Sequence, residues 1–93
     1  MTRLDETQRD AALAHLDGWR ADGDAIVCTY RFKSFGDAIE FVNRVADIAE
    51  ERDHHPDIDI RFREVSLRLT THSQGGVTER DVAVAEAVER IPR

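Results

Sequence analysis

The sequence predicts an α+β fold with the element order helix, two strands, helix, two strands, helix. Three stretches show the two-residue period of a strand, and two of them alternate strictly between apolar and polar residues. Three other stretches show helical spacing of apolar residues behind a capping residue. The chain has 93 residues, and single domains cluster near about 100–150 residues. We therefore expect one domain over residues 1–93.

The first helix is predicted over residues 6–17. Asp5 can cap it, with Gln8 at the third helical position as the reciprocal partner. Gly18 suits the left-handed conformation that ends many helices.

Two strands should follow, joined by the Asp-Gly-Asp turn signal at residues 22–24. The first is a short strand at residues 19–21 and the second a clear strand at residues 25–32. Cys28 falls on the apolar face of the second strand, which favours a small buried side chain over a reactive thiol. As the single cysteine, it forms no internal disulfide and gives no argument for an oxidising compartment.

A cap at Ser34 begins a second helix, which is predicted to run to about Asp53. Its apolar positions cover about half of the helix circumference, wider than the roughly 100° stripe that one core face requires. Two explanations stay open. The helix lies deep in the core, or Phe41, Val45 and Ile48, at one edge of the apolar arc, contact another subunit.

Residues 57–62 and 65–70 alternate and are separated by a two-residue break, which predicts a β-hairpin. Ile58, Ile60 and Phe62 are expected to face the core from the first of these strands.

Thr78 caps the last helix, with Asp81 at the third helical position. The buried stripe of this helix is predicted from four apolar residues: Val82, Ala85, Val88 and Ile91.

Composition and charge exclude several classes of function. Lys plus Arg number 13 and Asp plus Glu number 19, which gives a net charge of −6. Such a surface repels phosphate backbones and anionic membranes, so we expect no nucleic-acid partner and no membrane association. No apolar run approaches the roughly 18 residues of a membrane span. The N-terminal residues become acidic at once and show no apolar signal segment. We expect a soluble cytoplasmic protein.

Three of the four histidines lie at predicted element ends. His55 precedes a proline, so its backbone is extended and the helix must end near His54. If the two strands after Pro56 pair, residues whose numbers sum to about 127 lie opposite each other, which places His72 near His55. The three histidines should then meet at one end of the sheet, where one imidazole can act as an acid and another as a base.

The spacing of these histidines allows two kinds of partner, a carboxylate or a metal ion. Glu50 and His54 are four residues apart and should share a helical face, where the carboxylate can fix the tautomer of the ring. A zinc site of Glu50, His54, His55 and His72 is an alternative, but the spacing matches no standard zinc signature. We therefore expect no metal.

An ordered set of residues resembles the signature of the pterin-4a-carbinolamine dehydratases. The resemblance extends over nearly the whole chain, through Gly18-Trp19, Thr70-Thr71-His72 and Thr78-Glu79-Arg80-Asp81. The signature itself comprises Glu50, His54-His55-Pro56, Phe62, His72 and Asp81 in this order.

The resemblance implies a four-stranded antiparallel sheet with three helices packed on one face, in agreement with the alternation described above. It implies a homodimer or homotetramer, a pterin substrate and no cofactor. The implied reaction dehydrates 4a-hydroxytetrahydropterin to quinonoid dihydropterin, and the implied enzyme class is a hydro-lyase.

The resemblance also implies roles for individual residues. His54 and His72 would be the acid–base pair, and His55 would hold the pterin. Glu50 and Asp81 would orient or tune the histidines. The edge of the pterin ring would be lined by Asp53 and by the backbone around Thr70, Thr71 and Ser73.

Two positions depart from the pattern of the family. Ile58 stands where many members carry a bulky aromatic residue, and Arg63 stands where many have Asn in the hairpin turn. The first affects the shape of the pocket and the second the stability of the turn. A second class of function is a non-catalytic oligomerising, assembly or coactivator protein on the same fold, and the retained histidines favour the enzyme.

Overall fold

A computed structural model describes residues 2–93 of the chain. The helices and strands confirm the predicted α+β class and element order, and one 3-10 turn, His72–Gln74, follows the last strand. In chain order they are α1 (Glu6–Leu13), β1 (Arg20–Asp22), β2 (Ala25–Arg31), α2 (Phe35–Arg52), β3 (Asp57–Arg61), β4 (Glu64–Leu69) and α3 (Glu79–Glu89).

The four strands form one antiparallel sheet in the order β1-β2-β4-β3. The inner strands supply the core, since Ile26, Leu67 and Leu69 are fully buried beneath the helices. The other face of the sheet is polar, and there the Thr29 and Ser66 hydroxyls lie 2.8 Å apart across the β2–β4 pair. The helix layer therefore covers one face, as the family resemblance implies.

Helix α1 is shorter than predicted. The capping box is present, with Asp5 accepting from the Gln8 backbone at 2.8 Å and Gln8 accepting from the Asp5 backbone at 2.9 Å. The helix ends at Leu13 because the next turns tighten: the Leu16 N–H bonds to the carbonyl three residues back, at 3.0 Å. This tightening buries the Leu16 side chain, and Gly18, at φ 81°, then turns the chain into β1.

The hairpin register differs from the prediction by two residues. Arg61 pairs with Glu64, so opposite residues sum to 125 and the turn consists of Phe62 and Arg63. Phe62 adopts a left-handed φ of 54°, which allows this tight turn. Its ring is 69% exposed beneath the Arg63 guanidinium, so the prediction that Phe62 faces the core is wrong.

Strand β3 lies at the edge of the sheet, beyond the helix layer. Ile58 and Ile60 lie opposite Leu67 and Val65 and so project from the core side of the sheet, as predicted. They are nevertheless 36% and 38% exposed, since no helix reaches this edge. Both faces of β3 are accessible.

Helix α2 buries one edge of its apolar arc against the core. Phe41 and Val45 are buried, and the Phe41 ring packs on Tyr30 and Phe32 with centroid distances of 4.8 and 5.0 Å. Ile48 is partly buried against the same cluster. The proposal that Phe41, Val45 and Ile48 contact another subunit is therefore wrong, because the sheet and α3 cover this edge of the arc.

The opposite edge of the α2 arc is the one that stays uncovered. Phe35 is 52% exposed, Ile39 and Val42 are half-buried, and Ala46 is exposed. We call these four residues the α2 stripe. In residues 2–93, no helix combines the length and apolar character that crossing a membrane requires.

A polar network lies where the end of α3 meets β2, around the Tyr30 hydroxyl. The Trp19 indole donates to the Tyr30 hydroxyl at 3.0 Å, and this hydroxyl donates to the Glu89 carboxylate. Arg93 approaches Glu89 at 3.6 Å and lies over the Tyr30 ring at 4.8 Å. Cys28 is buried nearby as predicted, and burial raises the pKa of its thiol.

Candidate active site

The histidines leave the chain at the end of α2. Asp53 ends this helix in the left-handed conformation, at φ 50° and ψ 44°, and the His54 N–H bonds to the Ala49 carbonyl at 3.1 Å. The left-handed residue and this hydrogen bond form a Schellman motif, in which the left-handed residue is usually glycine. The sharp turn sends the side chains of His54 and His55 to different partners.

His54 turns inward to α3. Its Nε2 lies 2.5 Å from Oδ1 of Asp81, and the two side chains are 10% and 0% exposed. His55 turns outward instead, with Nε2 2.5 Å from Oε2 of Glu50 in an exposed pair. The predicted Glu50–His54 pair is therefore wrong: the left-handed Asp53 ends the helical spacing before His54.

Asp81 is a buried carboxylate with three donors. Besides His54, its Oδ2 accepts from the Thr71 hydroxyl at 2.8 Å and from the Thr78 N–H at 2.8 Å. The Thr71 and Thr78 hydroxyl oxygens lie 2.9 Å apart. Since Thr71 donates its only proton to Asp81, the Thr78 hydroxyl must donate to Thr71. Every member of the cluster is thereby satisfied.

The hydrogen bonds of Asp81 also determine the tautomer of His54. The Asp81 carboxylate can only accept, so Nε2 of His54 carries the hydrogen. In the neutral ring Nδ1 is then the free acceptor. The hollow beside the ring has a volume of about 290 Å³ and is lined by Arg52, His54, Arg80 and Ala83. A held imidazole with one free nitrogen can accept or deliver a proton.

His72 lies on a closed loop after β4. Thr71 and Gly76 pair across this loop, with the Thr71 N–H bonding to the Gly76 carbonyl at 2.9 Å, and Gly75 takes the left-handed φ of 71°. Arg3 packs directly on Gly76, where a Cβ would approach its Cδ to 2.5 Å. The loop therefore packs against Arg3, while the His72 side chain is exposed.

The predicted meeting of the three histidines stays a prediction, although a hydrogen bond links the loop of His72 to the site of His54. The side-chain hydroxyl of Thr71, which directly precedes His72, donates to the carboxylate that holds His54. Within residues 2–93, no hydrogen bond joins His72 to His54 or His55. Continued beyond the Asp57–Arg68 pair, the corrected register would bring Thr70, rather than His72, across from His55.

The residues predicted to line the pterin edge differ in availability. Asp53 and Ser73 are exposed. The Thr70 hydroxyl donates to the Asp24 carbonyl at 2.6 Å, and the Thr71 hydroxyl is committed to Asp81. Both threonine hydroxyls are therefore engaged, and the Thr71 backbone is engaged as well, since its N–H bonds to the Gly76 carbonyl and its carbonyl accepts from the Gln74 N–H.

Two residues of the site had no such role in the sequence prediction. Thr78 was predicted only as a helix cap, yet its hydroxyl reaches Thr71. Arg80 donates from its guanidinium to the Asp53 carbonyl. Residue type and spacing carry no signal for either contact, because the first depends on how α3 docks against the loop after β4 and the second on how α3 docks against the end of α2. The described part of the chain, residues 2–93, holds no group of three or more His, Cys, Asp or Glu that could bind a metal ion.

Comparison with known proteins identifies the family. The family described as pterin 4 alpha carbinolamine dehydratase matches residues 2–91. The chain belongs to this family. Its members in Thermomicrobium roseum and Mycolicibacterium smegmatis, both provisionally named pterin-4-alpha-carbinolamine dehydratase, are 52% and 50% identical to the chain. The matches cover 98% of this chain and 98% and 97% of those relatives.

Two solved structures resemble the chain. A protein of Brucella melitensis, described as a transcriptional coactivator/pterin dehydratase, is 40% identical with a TM-score of 0.90, over 95% of this chain and 96% of that one. A pterin dehydratase-like protein, identified as a RuBisCO assembly factor in the alpha-carboxysome, is 21% identical with a TM-score of 0.63. That match covers 76% of this chain and 82% of the other, and it shows a shared fold alone. The pterin dehydratase fold is therefore found among proteins described by different roles.

Proposed function

We propose that the domain predicted over residues 1–93 is a 4a-hydroxytetrahydropterin dehydratase, a hydro-lyase of the cytoplasm. One observation carries this proposal: a single buried carboxylate, Asp81, holds His54 and also Thr71, the residue before His72. The arrangement ties a buried, fixed imidazole to the loop that carries an exposed one. The buried thiol of Cys28 agrees with a reducing compartment.

The reaction requires two proton transfers. The bond from C4a to its hydroxyl oxygen breaks, and this oxygen takes up a proton and leaves as water. A ring nitrogen loses its proton, and the freed electron pair forms the new carbon–nitrogen double bond. Histidine, whose ordinary pKa lies near neutrality, can serve either step. We assign the pair to His54 and His72.

The remaining residues bind and orient. His55, exposed and paired with Glu50, would hold the pterin, and Asp81 would keep the His54 ring in the tautomer with a free Nδ1. Asp53 and the exposed Ser73 would line the edge of the pterin ring, together with the backbone around Thr70 and Thr71. The proposed reaction balances with no metal or cofactor.

The test follows the ultraviolet trace of enzymatically generated 4a-hydroxytetrahydropterin with and without the protein. The wild type should accelerate its decay, and a His54→Ala/His72→Ala double variant should not. His15→Ala is the matched control, since this exposed histidine lies after α1 and should be dispensable. Decay at the spontaneous rate with folded wild type would overturn the proposal, and equal rates in the double variant would remove these histidines from the mechanism.

We infer that the chain assembles as a homodimer or homotetramer, and that the α2 stripe is the contact. Phe35, Ile39, Val42 and Ala46 follow the alternating four- and three-residue spacing of helix seams. Exposed apolar patches of this kind mark interaction sites. The same stripe favours the second candidate function, a non-catalytic assembly or coactivator role, which can coexist with catalysis.

Light scattering on a Phe35→Glu/Ala46→Glu variant tests this contact. Both residues are exposed, and Glu suits the first turn and the interior of a helix, so the fold should be retained. The expected result is a monomer, with Arg44→Glu, on the opposite side of α2, keeping the wild-type mass. An unchanged mass in the double variant would refute this surface.

A further inference from the structure

Two consecutive residues at the start of α3 hold two consecutive residues at the end of α2. The Arg80 guanidinium donates to the Asp53 carbonyl, and the Asp81 carboxylate accepts from the His54 ring. The two tethers run side by side, one to the backbone just before His54 and one to its side chain. The first tether has no part in the acid–base chemistry proposed above.

The backbone at Asp53 has a conformation that such a tether would stabilise further. A left-handed φ of 50° brings the Cβ of a non-glycine residue close to its own backbone and is disfavoured. Asp53 is also exposed, so no packing around its side chain enforces this conformation. A relaxation of Asp53 toward the right-handed region would continue the helix and turn His54 away from Asp81.

Arg80 is suited to prevent this relaxation. Its side chain is half-buried beside His54, in the hollow that Arg52 also lines. A charged donor makes a stronger bond to a carbonyl than a neutral one. Arg80 is anchored in turn, because its own backbone N–H donates to the Thr78 hydroxyl at 3.2 Å.

We propose that Arg80 is a positioning residue, which holds Asp53 in the left-handed conformation and thereby directs Nδ1 of His54 toward the substrate. The catalytic part of this inference rests on the dehydratase function proposed above. The structural part, the placement of the His54 ring, does not.

The kinetic test compares Arg80→Ala with Arg44→Ala. Arg80→Ala should lower kcat by roughly 10–100-fold, since small misplacements of a catalytic group have effects of this size, while KM stays near the wild-type value. Arg44 is exposed on α2 and lies outside the hollow beside His54, so Arg44→Ala should keep wild-type kcat. Arg80→Lys, which retains a charged donor, should recover part of the loss. Equal kcat in the two alanine variants, or a loss confined to KM, would overturn the proposal.

A second readout needs no turnover. Long-range ¹⁵N–¹H spectra report which ring nitrogen of His54 carries hydrogen. The wild type and Arg44→Ala should both show hydrogen fixed on Nε2, and Arg80→Ala should show a mixture of tautomers. An unchanged His54 ring in folded Arg80→Ala overturns the positioning role even if turnover falls. If the wild type has no dehydratase activity but the ring responds to Arg80→Ala, the proposed function fails and the positioning role stands. Arg80→Met, which keeps the length of the side chain but has no donor for the Asp53 carbonyl, supplies the same spectroscopic comparison if Arg80→Ala does not fold.

Discussion

The two ends of α3 each carry a carboxylate in a buried or half-buried polar network, and the two networks differ in the donor. At the start, Asp81 accepts from the imidazole of His54. At the end, Glu89 accepts from the phenol of Tyr30, which itself accepts from Trp19. Both are made by residues far apart in the chain, and both are fully satisfied.

The two donors belong to different chemical classes, a phenol and an imidazole. Burial, and then the bond to Glu89, raises the pKa of Tyr30 far above its ordinary value, so the phenol keeps its proton at any physiological pH. An imidazole ordinarily titrates near neutrality. The comparison teaches that a buried carboxylate bond is not by itself a sign of catalysis; the donor it holds must be able to exchange a proton.

Replacing each carboxylate by its amide is the strongest test of this comparison. In Asp81→Asn the amide can present an N–H to His54 and favour the wrong tautomer, so dehydration should slow by roughly 100-fold or more. Glu89→Gln should leave turnover at the wild-type level. Each should lower the free energy of unfolding by roughly 1.5–3 kcal/mol in urea, because a charge-assisted bond is lost. Equal losses of turnover would remove the distinction between the two ends.

The alkaline behaviour of Tyr30 sharpens the comparison at the structural end. Its folded pKa is raised, so its stabilising contribution is fully present below the ordinary pKa near 10 and is lost as the pH rises above it. Because the chain has one tyrosine, tyrosinate absorbance should stay absent above that pH until the protein unfolds.

Tyr30→Phe should lower the free energy of unfolding at neutral pH by about 1 kcal/mol. Above pH 10, the free energy of unfolding should fall less steeply with pH in this variant than in the wild type. The Cys28 pKa is raised as well, so Cys28→Ala is the control that isolates the tyrosine. Titration of the folded protein at the ordinary value would contradict the role assigned to this network.

The smallest effect is expected at the exposed pair of Glu50 and His55. Their side chains are 78% and 55% exposed, and exposed ion pairs contribute about 0–1 kcal/mol. Glu50→Gln should therefore shift the urea midpoint only slightly, in contrast to Asp81→Asn. A loss of stability as large as that of Asp81→Asn would show that exposure does not separate the two histidine pairs.

Local motifs of the fold were predictable from the sequence. The Asp5–Gln8 and Thr78–Asp81 caps form as predicted, because the residues of a cap lie within one turn of each other. Strand alternation also predicted correctly that Ile58 and Ile60 project from the core side of the sheet, because side chains alternate between the two faces of any strand. The end of α1 was not predictable, because the tight turns that follow the helix depend on the burial of Leu16 in the core.

The remaining differences arise where a single backbone conformation or a distant element decides. The left-handed Phe62 shifted the hairpin register by two residues, and the left-handed Asp53 moved Glu50 from His54 to His55. The width of the apolar arc on α2 was apparent, but which edge α3 would cover was not. The candidate histidines were therefore predicted by type, while the partners that hold them required the tertiary structure.

The bond between Trp19 and Tyr30 makes the molecule its own optical reporter. The chain has one tryptophan, and its indole is buried and donates at 3.0 Å to the Tyr30 hydroxyl. Its fluorescence therefore reports on the end of α3 that lies away from the histidines. A variant that alters the histidines while leaving the emission spectrum unchanged has kept this distant end of α3 intact, and a red shift marks the entry of water around Trp19.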